Sequence, residues 1–384
     1  MPLLDDVLAP WLEQMGTDAG GLDLFDAHTH IGANDPDGFK QTPAELLEAL
    51  ATCDARALVF PMHEPDGYTE ANDVAIAAAR DSGGRLHAFC RVQPNDGDGA
   101  LAEARRALDA GAVGIKLHPR AEGFTMHAHA VRGLVEIAHE RQVPVLIHAG
   151  RGIPALGEDT VMLARSYPDA KLILAHAGIS DLAWLWRDMR TVRNVYVDTS
   201  WWNPVDLVAL FHLAPPGQVL WASDSPYGRP LASAVQTLRC ARQAGLDDEQ
   251  VRAVAGGQLS RLVAGRPPLD LGPPPELRNA IDPLVERIVS HLTTVVAQLL
   301  SRTTYTETLG LARLACAVPS GEPSAPVAAA VLDLLEAFEA GMDGDGPGSS
   351  GPLPPGARFL ITAIFVARTP DVPVGPPATG RRRP

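Results

Sequence analysis

His28 and His30 stand two residues apart in Phe25-Asp26-Ala27-His28-Thr29-His30, where an apolar run stops. On a strand, residues two apart face the same side, so both imidazoles point one way. Two inward imidazoles that close suit a divalent transition metal such as zinc. The pair is weak alone: with 12 histidines in 384 residues, chance supplies roughly half of one such pair. His127-Ala128-His129 serves as an internal control. It opens a predicted helix, where residues two apart point to different faces, and it reads as surface.

Three more apolar runs end in a ligand-type residue: Leu146-Ile147-His148-Ala149-Gly150, Ile173-Leu174-Ala175-His176-Ala177-Gly178 and Leu220-Trp221-Ala222-Ser223-Asp224-Ser225-Pro226. If these runs are neighbouring parallel strands, their ends converge on one face, where such folds keep their chemistry. Singly, His148 and His176 read equally well as satisfied polar residues, and Asp224 as a turn former. Five such residues at four strand ends favour a site.

The elements that must position them alternate from about Gly21 to Arg266. Short β-branched runs at Leu22–His28, Ala55–Met62, Arg85–Val92, Ala112–His118, Val143–Ala149, Lys171–Ala177, Val195–Ser200 and Val219–Asp224 predict eight strands. Amphipathic stretches such as Thr42–Cys53, Ala71–Ser82, Ala100–Ala110, Ala130–Arg141, Asp159–Tyr167 and Leu231–Ala244 predict helices between them. Eight βα units over roughly 250 residues predict an α/β (β/α)8 TIM barrel. A doubly wound open sheet is the runner-up, but it calls for a Gly-rich turn after the first strand, where His28-Thr29-His30 stands instead.

Residues 1–20 read as an N-terminal helical extension and 21–266 as the barrel. Residues 267–276, with Pro267, Pro268, Pro273, Pro274 and Pro275, read as a stiff linker. Residues 277–384 read as a small helical module: an apolar stripe from Leu277 and Ile281 to Leu299, a second helix over Thr306–Cys316, and a third capped by Ser324 with Pro326 in its first turn. Gly341–Gly356 is rich in Gly, Ser and Pro and reads as a loop. Arg358–Arg368 is apolar and ambiguous between helix and strand. The long stripe must be covered by neighbouring helices, by the barrel flank or by a second subunit, which would make a homo-oligomer.

Composition narrows the function. The chain is 46% hydrophobic and 20% charged, enough for a large core. With 32 Lys+Arg against 46 Asp+Glu its net charge is −14, which disfavours nucleic acid as a partner. The tail Arg381-Arg382-Arg383 is too short to reverse this. Cys53, Cys90, Cys240 and Cys316 form no C-x-x-C pair and read as small hydrophobes in a reducing compartment. Met1 to Gly16 carries acids instead of a basic leader, and no apolar run reaches the ~18 residues of a membrane span. The expectation is a cytoplasmic protein with a small-molecule substrate and no membrane partner.

The H-x-H on the first strand, His on the fifth and sixth and Asp on the eighth resemble the amidohydrolase superfamily. More narrowly, they resemble its amidohydrolase-related branch of metal-dependent hydrolases and decarboxylases of the aminocarboxymuconate-semialdehyde type. Phe89-Cys90-Arg91-Val92-Gln93-Pro94, Gly114-Ile115-Lys116-Leu117-His118-Pro119 and Gly257-Gln258-Leu259-Ser260-Arg261-Leu262 are similar to that branch too. The resemblance spans roughly Leu22–Leu262. It implies that His28, His30, His148 and Asp224 hold a metal, with His176 beside it as ligand or polarising group. Members with two metals bridge them by a carboxylated lysine or a carboxylate on the fourth strand. Lys116 is open between that bridging role, an ammonium anchoring a substrate carboxylate, and a structural partner of an acid. One metal is therefore expected, with a second left open.

The chemistry expected of that set is a metal-activated water. Asp224 would act as general base and His176 as donor to the carbonyl oxygen. Trp201 and Trp202 suggest a flat or apolar ligand wall, with packing into the loop as the alternative. Lys116, His118 and Arg151 are candidate substrate contacts, Glu64 a weaker one, and Asp26 a candidate to orient an imidazole. The leading expectation is a hydrolase of a C–N or C–O bond in an amide, cyclic amide, lactone or ester. The alternatives are a non-oxidative decarboxylase of a small unsaturated or aromatic acid, and a metal-bound scaffold without catalysis.

Overall fold

The computed structural model describes residues 4–150, 156–276, 282–342 and 356–375. Nine strand segments run in chain order: β1 Phe25–Ile31, β2 Arg56–Pro61, β3 Leu86–Ala88, β4 Cys90–Arg91, β5 Ile115–Leu117, β6 Pro144–Ile147, β7 Lys171–Leu174, β8 Val195–Asp198 and β9 Val219–Leu220. β3 and β4 are two halves of the third expected strand, interrupted at Phe89. Every pairing is parallel and joins sequence neighbours, in the orders β1-β2-β3 and β4-β5-β6-β7-β8-β9. Phe89 N donates to Val59 O and Cys90 N to Gly114 O, which carries the ladder across the interruption.

The ring closes between its first and last strands. Ala27 N donates to Trp221 O (2.9 Å), Asp224 N to His28 O (2.9 Å) and His30 N to Ser225 O (2.8 Å). With helices between successive strands, this is the (β/α)8 TIM barrel that the alternation predicts.

The strands sort their side chains by the period of two. Phe25, Ala27, Leu58, Phe60, Phe89, Leu146, Ile173, Tyr196 and Leu220 fill the barrel interior. Val59, Ile115, Leu117, Val145, Ile147, Leu172, Leu174, Val195 and Val197 face the surrounding helices. Such strands are buried on both faces, hence the near-continuous apolar runs. β1 begins three residues later than the expected Leu22–His28 and runs through Ile31, so both histidines lie inside a strand laddered to β2 on one side and hydrogen-bonded to residues 221–225 on the other. The last strand is shorter than expected and ends at Leu220.

An N-terminal helix, Leu4–Asp18, packs on Pro230–Ala244. Residues 264–276 contain no helix or strand, as the prolines require. Beyond them run helices Pro283–Leu300, Thr306–Ala315, Ala325–Met342 and Ala357–Arg368. Leu277 and Ile281 lie outside the described residues, as does most of Gly341–Gly356. The stripe Val285, Ile288, Val289, Leu292, Val296 and Leu299 is buried, against Thr306–Ala315 and Ala357–Arg368 of the same chain. The ambiguous Arg358–Arg368 run is helical. Its apolar residues show no one-sided pattern because it is packed by Pro283–Leu300, Ala325–Met342 and the barrel helix Pro230–Ala244 at once. Arg239 fastens that end: its guanidinium donates to Thr369 Oγ1, Thr369 O, Val372 O and Pro373 O and lies over the Trp11 ring.

Candidate metal centre

Because β1 is extended and inward at His28 and His30, and because the closing hydrogen bonds pull Asp224 against it, three ligand atoms meet. His28 Nε2 lies 3.1 Å from His30 Nε2, and Asp224 Oδ1 lies 3.2 Å from each. His28 and His30 are buried, and the Asp224 side chain is 20% exposed. These three form the one group of metal-capable atoms in mutual contact among the described residues.

The donor chemistry can be read from the surrounding bonds. His28 Nδ1 lies 2.9 Å from Asp198 Oδ2 and donates to it, so Nε2 keeps its lone pair. His30 Nδ1 is buried without a partner among the described residues. Two imidazole nitrogens and a carboxylate oxygen thus converge on one point, a donor set that a cation would bring together once His30 carries its proton on the unpartnered Nδ1. The edges also match: ligands at about 2.0–2.1 Å in a tetrahedral shell lie about 3.3 Å apart. The residues fit a divalent metal.

His148 and His176 lie beside this triad as a pair, with His176 Nε2 3.0 Å from His148 Nδ1. His176 Nδ1 faces the Ser200 carbonyl at 2.8 Å, which only accepts, so the proton sits on Nδ1 and Nε2 is an acceptor. His148 then donates from Nδ1, which leaves its Nε2 with a lone pair, buried and unpartnered among the described residues. That atom suits a ligand, although His148 falls outside the group in mutual contact. The expectation that His176 donates to a carbonyl oxygen meets an obstacle here, since its neutral ring presents a lone pair at Nε2. Gly150 permits the pair to form: a Cβ there would lie 2.8 Å from His176 Cδ2 and 3.2 Å from His148 Cε1.

The electrostatics follow from burial. It pushes Asp224 well above the usual carboxylate range, with Asp198 adding to the effect and Lys116 opposing it. Burial holds His28, His30, His148 and His176 below the ordinary imidazole value, with the Lys116 charge working in the same direction. Neutral imidazoles are the form that binds metal. Backbone strain gathers at the same place. His176 (φ 55°), Ala177 (φ 60°) and Asp224 (φ 60°) take left-handed conformations that side chains with a Cβ rarely adopt.

Lys116 is fully buried on β5, with Nζ 3.4 Å from His28 Nε2 and 4.7 Å above the Phe60 ring. Burial, reinforced by Arg91, pulls it down to about 7. His118 accepts the Ala121 N–H at Nδ1, placing its proton on Nε2, and stacks on His148 at 3.8 Å between centroids. Trp201 packs against the core and donates Nε1 to Asp206, while Trp202 is the exposed member of the pair. Glu64 accepts from Asn34. Arg151 lies outside the described residues. The control pair reads as expected, with His127 71% exposed.

Two participants were not singled out by the sequence. Asp198 orients His28, a part expected of Asp26. Asp26 Oδ1 instead accepts the backbone N–H groups of His28 and Ser223, fixing the two strands and not a ring. Asp198 Oδ1 also accepts from His176 N (3.0 Å), Ser200 N (3.0 Å) and Ser200 Oγ. The signal was present: Asp198 is a carboxylate at the end of an apolar strand, on the same face as Tyr196. The second is Arg91, buried at the end of β4, whose Nη2 and Nε bond Glu122 Oε1 at 2.6 and 3.1 Å. Two loops flank the mouth. Gln41 ties His30 O to Ser225 Oγ, and Tyr227 sets its ring edge-on to His30 and donates to Asp35.

A family model described as Amidohydrolase matches residues 25–257. Among solved structures, 2,6-dihydroxybenzoate decarboxylase from Rhizobium superimposes with a TM-score of 0.53 at 14% identity, covering 63% of this chain and 99% of that one. For 5-carboxyvanillate decarboxylase from Sphingomonas paucimobilis the values are 0.51, 17%, 64% and 99%. For an uncharacterized TIM-barrel protein from Bordetella bronchiseptica they are 0.51, 13%, 64% and 99%. No curated protein matches. At such identities the structural likeness shows the fold, whereas the family match takes in more than half of the chain and every residue of the triad. The chain belongs to the amidohydrolase family of enzymes.

Proposed function

We propose that the protein is a metal-dependent hydrolase that cleaves a C–N or C–O bond of a small amide, cyclic amide, lactone or ester. The observation that carries this reading is the His28, His30 and Asp224 triad, three ligand atoms within 3.1–3.2 Å of each other at the mouth of the barrel. His148 Nε2 is the proposed fourth ligand. A bound divalent cation, zinc first among the candidates, supplies Lewis acidity and lowers the pKa of water toward ~7.

The chain's own groups do the rest. Asp224, partly open to the mouth, takes the proton of the attacking water and returns it to the leaving group. His176, its proton held on Nδ1 by the Ser200 carbonyl, accepts at Nε2 from His148 Nδ1 and so orients that proposed ligand. Lys116, with its Nζ 3.4 Å from His28 Nε2, is proposed to meet a polar group of the substrate. The exposed Trp202 offers a flat wall, and His118 Nε2–H and Arg151 are proposed to contact polar groups of the substrate. Four free cysteines, three of them buried, accord with a reducing cytoplasm.

A second reading, non-oxidative decarboxylation of a small aromatic acid, is favoured by the fully buried Lys116 beside the triad, which suits a substrate carboxylate. Two of the similar folds are also decarboxylases. Turnover of ester, lactone, amide and hydroxybenzoate panels in ¹⁸O-labelled water separates the two. Hydrolysis places ¹⁸O in the organic product; decarboxylation releases carbon dioxide and places none there. In either case His28→Ala should remove the bound metal, measured by elemental analysis, and lower kcat by at least ~10³. Full metal content and turnover in that variant would overturn the assignment.

A further inference from the structure

At the opposite end of the barrel, beneath the first residues of β7 and β8, a cleft of about 540 Å³ opens between the barrel and the proline-rich segment. That size suits a small molecule. Lys171, Arg165, Arg193 and Arg266 line it, with Asp169 as the one acidic lining residue. In a chain of net charge −14, four cations gathered about one cleft stand out, even with Asp169, Asp188 and Asp270 beside them.

These cations are incompletely compensated. Arg165 pairs with Asp188 at 2.7 Å, but Arg193 reaches Asp270 only at 3.6 Å. Lys171, 9% exposed, gives its Nζ to the Gln142 carbonyl and not to a carboxylate. Arg266 makes no ion pair among the described residues. The inner wall is closed by Tyr196, which is 1% exposed and lines the cleft from the barrel interior. Burial alone pushes that phenol up, so it stays a neutral donor. Residues on this face of a barrel ordinarily serve stability. Here Lys171 and Arg266 are left without a carboxylate partner among the described residues at the edge of a cleft, with a phenol on its inner wall.

We infer that this cleft binds a small polyanion, phosphate or carboxylate in kind, gripped by Lys171, Arg193 and Arg266 with Tyr196 as a hydrogen-bond donor. Guanidinium forks and an ammonium are suited to oxyanions of this kind. The site stands apart from the proposed reaction and does not depend on it.

Calorimetric titration of the full-length, metal-loaded protein with fructose 1,6-bisphosphate and, separately, with tricarballylate tests the inference and distinguishes the two chemistries. One probe should bind with one-to-one stoichiometry and weaken as salt rises. Arg193→Ala combined with Arg266→Ala, both at exposed positions, should weaken binding at least tenfold. Tyr196→Phe, which removes a single oxygen, should weaken it about threefold or more. Metal content should stay constant throughout. The inference is overturned if neither probe binds at millimolar concentration, if the arginine double variant binds as tightly as the parent, or if Tyr196→Phe changes nothing.

Discussion

Asp198 accepts hydrogen bonds from a ring nitrogen of His28, from the backbone of His176 and from both polar groups of Ser200. One fully buried carboxylate therefore sets both the tautomer of a proposed ligand and the place of its neighbour. Asp198→Asn keeps the shape but presents an amide where acceptors are needed. Metal affinity should fall about 10- to 100-fold, read by competition with a chromogenic chelator, while circular dichroism stays unchanged. Undiminished affinity would mean that His28 is oriented by packing alone. At this scale the sequence discloses the ligand types, because His28, His30, His148, His176 and Asp224 each end an apolar run. It does not disclose hydrogen-bond direction. That the Ser200 carbonyl turns His176 into an acceptor depends on a contact across 24 residues, which no local pattern carries.

The elements hold these side chains through close backbone contacts as much as through strands. Gly228 follows Asp224 in the turn after β9, and a Cβ there would lie 2.0 Å from Ser223 O. No rotamer change relieves a clash with backbone. Gly228→Ala should displace the turn, lowering stability by about 1–3 kcal/mol in urea denaturation and weakening metal binding with it. Loss of stability without loss of metal would separate the turn from the site. The βα alternation was legible because strands buried on both faces and one-sided helices leave different periods. The ends were less so. β1 starts at Phe25 because its ladder with β2 and its hydrogen bonds to the segment after β9 set its limits, and Ala357–Arg368 looks ambiguous because packing on several sides erases the helical stripe.

Across the molecule, burying imidazoles links stability to pH. His87 lies on β3 against Phe25, with Nε2 buried and unpartnered among the described residues. Burial, and then the Arg56 charge, holds it below the ordinary 6.5. Below pH 6.5 the unfolded chain therefore takes up a proton that the folded barrel refuses, and stability is lost as pH falls toward the depressed folded value. The imidazoles of the metal centre act in the same direction. His87→Phe should flatten part of the fall in melting temperature below pH 6.5, measured by scanning calorimetry; an unchanged slope would remove His87 from the account.

The barrel's seam carries a consequence for how the enzyme comes into being. The three hydrogen bonds that close the ring also deliver Asp224 to the histidines, which precede it by 194 residues in the case of His30. A nascent chain leaving the ribosome thus displays two imidazoles long before their carboxylate is synthesised. On the proposed metal-dependent reading, tight binding of an ion waits until the eighth βα unit docks, and its acquisition would report that the ring is whole.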